Sequence, residues 1–295
     1  MATKCFSPIF GKRIRVTELD LCGNVPAPGT EAAYVATDGF VTLTLTSEIE
    51  EGTEIITRKA DGSLCVNEKA GDSFKRFTME LEFCGVNPDL FRMMTNADPY
   101  EDWAGDTAGI TIDEGEIDTR FAFELWTGTT GGGACEGEGA EEGSGYLLLP
   151  FVTGGVLGDL EINGENAISF TVTGAFTRGG NQWGQGPYDV VLNGAEADVL
   201  PSPLRPSTHL LLMETGVAPP PSDCQAQVMP DFEPPEPPDA WVAETAYSEG
   251  DRVLLSTGEW LEAVLAGTSG ETEPVAPSEI GGSVTDGDVE WERIF

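Results

Sequence analysis

The 295-residue chain predicts an all-β fold, a β-sandwich or barrel with long loops and one short helix, followed by a small C-terminal β module. Three observations predict it. Short segments of alternating apolar residues recur along the chain, turn signals separate them, and only one segment opens like a helix. Hydrophobic residues make up 40% of the chain, which is enough to build a core.

The alternation persists longest between residues 161 and 193. Ile168, Phe170 and Val172 alternate with small or hydroxylated residues and predict a strand with one buried face. Residues 188–192 predict a second strand that closes on Asn193-Gly194, a strong turn signal. Between them lies a long loop, residues 178–187, with four glycines and a proline around Arg178 and Trp183.

From the N-terminus, Lys4, Lys12, Arg13 and Arg15 form the one basic stretch of the chain. Residues 1–30 read either as an arm with solvated charges or as an arm that pairs with an acidic neighbouring subunit. Residues 40–45, 54–58 and 77–83 alternate as strands. Asn87 at a cap position and Pro88 in the first turn then open a helix, which Asp98-Pro99 is expected to end. Residues 119–127 put Phe121, Phe123 and Leu125 on one face and Trp126 on the other. One apolar face per strand points to antiparallel sheets.

Residues 131–145 are rich in Gly and Glu. They offer little apolar surface to offset the entropy of ordering, so a mobile loop is expected, either a tolerated insertion or a contact loop between subunits. Residues 146–153 and 155–162 read as strands, residues 200–206 are too proline-rich for a central strand, and residues 209–213 suit a last short one. The prolines of residues 230–239 favour an extended spacer. The expected organisation is therefore a β domain over 1–229, a linker over 230–239 and a module over 240–295. In that module residues 252–255 and 259–265 are strands around the turn Ser256-Thr257-Gly258, and Asp286-Gly287 leads into another.

Fifty-one acidic residues against fifteen basic ones set the net charge at −36. Such a surface repels polyanions and argues against specific nucleic-acid binding, which draws its affinity from Lys and Arg. It reads as a solvated surface, one adapted to high salt, or one that must not hold DNA sliding past it. The six cysteines are scattered without a Cys-x-x-Cys, and reduced thiols are expected. The longest apolar run, residues 146–152, falls far short of the roughly 20 residues a spanning helix needs. The opening residues lack an apolar run of secretory length, so cytosolic synthesis without membrane insertion is expected.

No catalytic constellation is evident. His209 is the only histidine and lies in an apolar run without a nucleophile, phosphate-loop or metalloprotease motif around it. Acidic pairs such as Asp113 with Glu114 and Glu141 with Glu142 have glycosidase chemistry, yet arise by chance among so many acids. No loop has EF-hand spacing. The chain is expected to be no enzyme, with no cofactor and no metal site.

Residues 177–190, T-R-G-G-N-Q-W-G-Q-G-P-Y-D-V, and residues 201–210, P-S-P-L-R-P-S-T-H-L, with the proline-rich exit after them, resemble the major tail protein of long-tailed actinobacterial phages. The likeness is sharpest over 161–229 and looser over 1–160. It implies a virion protein that assembles with itself into stacked rings, hexameric in the family, forming a tube beside other tail proteins. Phage DNA passes through such a tube without specific binding. Lys12, Arg13, Arg15, Arg178 and Trp183 are the candidate assembly residues.

The last 56 residues contain W-x5-Y-x2-G-D-x-V, G-E-W-x-E-A, A-G-T-S-G and V-T-D-G-D-V-E-W. They resemble a small β module of phage tail and fibre proteins, similar to carbohydrate-binding modules of chitinases. The resemblance implies an outward decoration module for host-surface glycan, with Trp241, Tyr247, Trp260 and Trp291 as candidate stacking residues. In so small a unit the same aromatics also serve to make a core. Ala276 stands where many relatives carry an aromatic. Two other functions stay open, a carbohydrate-binding adhesin and a polysaccharide-degrading enzyme with an appended binding module.

Overall fold

The computed structural model describes residues 8–85, 87–129, 144–158, 160, 168–231, 238–278 and 281–294. Among them it places twenty-one strands and one helix, an all-β fold. The chain divides into two compact units, residues 1–182 with 207–229, and residues 183–206 with 230–295. Residues 183–206, assigned by sequence to the first domain, therefore belong to the second. Most of the proline spacer, residues 232–237, and nearly all of the Gly- and Glu-rich loop lie outside the described residues.

The first unit contains β1 (Pro8–Glu18), β2 (Tyr34–Thr37), β3 (Phe40–Glu50), β4 (Glu54–Arg58), β5 (Leu64–Lys69), β6 (Ser73–Phe83) and α1 (Pro88–Met94). It continues with β7 (Ala97–Glu101), β8 (Thr107–Ile112), β9 (Arg120–Thr129), β10 (Ser144–Thr153), β11 (Val156–Leu157) and β12 (Phe170–Thr177). Beyond β13 (Val191–Asn193) and β14 (Glu196–Asp198) of the second unit, β15 (Leu211–Thr215) returns to the first.

Nine strands form one antiparallel sheet in the order β2-β1-β9-β10-β12-β6-β3, with β15 beside β10 and β11 beside β12. The sheet curls on itself. At Gly11 of β1 an added Cβ would lie 2.5 Å from the Phe40 ring of β3, so only glycine lets these distant strands approach. The enclosed core takes Ile14 and Val16 from β1, Leu81 and Phe83 from β6, Phe121 and Phe123 from β9, and Val172 from β12.

Helix α1 closes over this core with Leu90, Phe91, Met93 and Met94. Asn87 caps it by accepting from the Leu90 N–H at 3.2 Å, as the sequence predicts. It stops earlier than Asp98-Pro99. Thr95 is extended, and both its N–H and its hydroxyl donate to the Phe91 carbonyl, at 2.8 and 2.7 Å. The chain is thus released into β7, which contains Asp98 and Pro99 and pairs with β8.

Two other expectations change. Residues 8–18 are not an arm, because β1 lies between β2 and β9 in the sheet. Nor does β9 have one buried face: Phe121 through Thr127 are all buried, and the far face is filled by side chains that pair with one another.

The second unit adds β16 (Ala246–Tyr247), β17 (Arg252–Leu254), β18 (Trp260–Leu265), β19 (Gly267–Thr268), β20 (Ser283–Asp286) and β21 (Val289–Arg293) to the β13–β14 hairpin. That hairpin turns after Asn193 on Gly194, whose φ is +67°. Four strands form a sheet in the order β17-β18-β21-β20. Its core is Val253, Leu255, Leu261, Ala263, Val289 and Trp291, small enough that the aromatics decide whether it holds.

Candidate functional site

Two basic residues of the N-terminal strand, Arg13 and Arg15, are engaged within their own unit. Arg15 is 6% exposed and stands opposite Glu124 across the β1–β9 pair. It grips that carboxylate with two hydrogen bonds, at 2.5 and 2.6 Å. Tyr146 donates to the same carboxylate at 2.6 Å, and the Trp126 ring lies 5.0 Å from the guanidinium. Arg13 donates to the Pro220 carbonyl at 2.6 Å and pairs with Asp38 at 3.4 Å. Lys12 is half-buried. Arg15 and Arg13 therefore make bonds within the first unit, Arg13 to the segment that follows β15.

Arg178 packs over the Phe151 ring at 5.6 Å and belongs to the first unit. Trp183 belongs to the second, buried with Tyr188 at 6.3 Å. An added Cβ at Gly186 would lie 2.6 Å from Trp183 Nε1, so this one glycine of the loop makes room for its tryptophan. Four of the five candidates thus belong to the first unit and Trp183 to the second.

Among the glycan candidates, Trp291 is fully buried and stacks edge-on against Tyr247 at 4.9 Å. Trp241 and Tyr247 pack against the same core and are half-buried, as is Trp260. Asp286 organises the group. Its carboxylate accepts from the Trp241 indole at 2.8 Å, the Trp291 indole at 3.1 Å and the Gly270 N–H at 2.8 Å. An added Cβ at Gly287 would meet the Thr268 carbonyl, and one at Gly267 the Asp288 carbonyl. The A-G-T-S-G and V-T-D-G-D motifs thus make one clasp. Trp241 and Trp260 are partly exposed to solvent, whereas Trp291 is not.

His209 shares a 2.7 Å hydrogen bond with the Thr177 hydroxyl, which also accepts from the Phe77 N–H at 2.9 Å. Its ring meets Phe74 edge-on, and burial lowers its pKa below the ordinary imidazole value. The hydroxyl beside it is sealed from solvent, since Thr177 is 1% exposed. Asp113 and Glu114 line a 340 Å³ cleft with Asp98, Glu116 and Asp118, whereas Glu141 and Glu142 fall outside the described residues. Among the described residues no His, Cys, Asp and Glu group has the arrangement of a metal site, and no helix is long and apolar enough to cross a membrane. Cys22, Cys65, Cys84 and Cys224 are free and exposed.

The most prominent surface went unrecognised in the sequence. β4 and β5 form a two-stranded hairpin exposed along its whole length, with Ile55, Ile56, Leu64 and Val66 open to water and Ile55 57% exposed. The β7–β8 hairpin carries Trp103 fully exposed at its tip, with exposed Tyr100 along the strand below it and exposed Ile112 at the base. Adjacent isoleucines in a short strand were the available sign, since alternation then places apolar residues on both faces. Neither the family models nor the curated proteins compared with the chain match it.

Proposed function

We propose that the protein is a structural virion component that assembles with itself, its first unit building the stacked rings of a phage tail tube. The observation that carries this reading is the β4–β5 hairpin. An isolated two-stranded hairpin is marginal in water, and one that bares four large aliphatic side chains fits a surface completed by another subunit. The tube itself rests on the resemblance of residues 161–229, and the net charge of −36 agrees with it. A lumen presenting carboxylates instead of Lys and Arg makes no phosphate contacts and releases no counterions from a passing duplex.

The second unit then decorates the tube, with Trp241 and Trp260 as the surfaces for host glycan. Removing residues 231–295 takes most of that unit and strips residues 183–206 of their partners within it. A clean removal must delete both segments. Negative-stain microscopy of the purified protein tests the main reading. Hollow tubes or uniform rings are expected, and monodisperse monomers at every concentration would overturn it. Binding of the monomeric protein to a glycan array without any assembly would instead favour an adhesin.

A further inference from the structure

The two exposed hairpins of the first unit differ in charge character: one carries both signs, the other only acids. The β4–β5 hairpin, residues 54–69, balances Arg58, Lys59 and Lys69 against Glu54, Asp61 and Glu68, and at its turn Arg58 and Lys59 stand against Asp61 alone. Residues 97–118 hold eight acids and no Lys or Arg. Both hairpins bare large apolar side chains, Ile55, Ile56, Leu64 and Val66 on one, Tyr100, Trp103 and Ile112 on the other.

Their attachment adds a direction. The chain enters β6 from the β4–β5 hairpin at Ser73 and leaves it at Phe83 for α1 and the β7–β8 hairpin. Eleven residues of strand separate these two points, roughly 35 Å at the rise of a β-strand. Neither hairpin hangs loosely. At the neck of the first, Gly52 donates to Asp72 at 2.9 Å and Ala70 to Thr53 at 3.0 Å. A Cβ on Gly52 would lie 2.0 Å from the Ala70 carbonyl. The second is held by buried Ala97 and by Ile110 against the core beneath α1.

We propose that the β4–β5 hairpin of one copy docks on the β7–β8 hairpin of the next. The partner is a second copy of this chain, and the inference rests on the self-assembly proposed above. The contact pairs two different surfaces, which makes it heterologous. Such contacts close into rings or run on as filaments. Apolar side chains supply the buried area, while Arg58 and Lys59 meet the carboxylates around Trp103. In a chain this acidic, most other faces of a copy repel one another, so the complementary pair also selects the register.

Charge reversal tests the pairing. Sedimentation velocity over a concentration series is measured for the wild type, Arg58→Glu with Lys59→Glu, Glu101→Lys with Asp106→Lys, and the chain carrying all four. Circular dichroism of each confirms the fold. Each double variant is expected to need at least about tenfold more protein to assemble, and the quadruple variant to recover. Assembly of the Arg58/Lys59 variant at the wild-type concentration, or no recovery in the quadruple, overturns the pairing while leaving self-assembly standing. A wild type that stays monomeric throughout overturns both.

Discussion

The β1–β9 pair and the β4–β5 pair are built from the same antiparallel ladder but invert the usual placement of residue types. In the first, Arg15 and Glu124 are sealed from water; in the second, Ile55, Ile56, Leu64 and Val66 face it. The difference lies in what stands over the ladder. β1 and β9 sit inside a nine-stranded sheet, so even a charged side chain there must find its partner within the protein, and it does so across the strand. β4 and β5 have no second layer. Side-chain polarity alone does not choose the inside; a strand is buried only where a second layer covers it.

The largest expected effect breaks the buried side of this comparison. Glu124→Ala leaves the Arg15 guanidinium and the Tyr146 hydroxyl without their acceptor, and removing one partner of a buried ion pair costs about 3–5 kcal/mol. Urea unfolding should show that loss. A loss under about 1 kcal/mol would mean that water reaches the pair.

A smaller effect follows at His209. Its folded pKa lies below its ordinary value, so in the imidazole range the unfolded chain binds more protons than the folded one. The stability that neutral His209 contributes is present above the unfolded pKa and is lost as pH falls through that range. The stability difference between the wild type and His209→Gln should therefore shrink as pH falls, and unfolding curves at several pH values measure it. A difference that grows on acidification contradicts a half-buried imidazole held neutral.

The smallest effect sharpens the exposed side. Ile56→Thr should change the stability of the isolated protein by no more than about 0.5 kcal/mol, the usual range for surface substitutions. It should still raise the concentration needed for assembly. A Tm that falls by several degrees would show that the hairpin already packs within its own chain.

The fold class was legible because burial on one face leaves alternation, and alternation survives in β3, β6 and β12. The helix was legible because Asn87 and Pro88 are local capping chemistry. β1 was not, since Lys12, Arg13 and Arg15 mask the alternation of Ile14 and Val16, and a basic strand looks like an arm until Glu124 is brought opposite. The motifs of the last unit were readable as motifs, but not as the clasp on Asp286, whose partners lie 5 to 45 residues away.

What the sequence determined by itself was local: the strand period, the caps and turns, the acidic excess and the absence of a long apolar run. Those depend on neighbours a few residues apart or on composition. Tertiary structure decided which alternating segments receive a covering layer, that Arg15 faces Glu124 at a separation of 109 residues, and that residues 183–206 join the last unit. These are questions of which distant segments meet, and the same β pattern is compatible with either outcome until the curl of the sheet chooses between them.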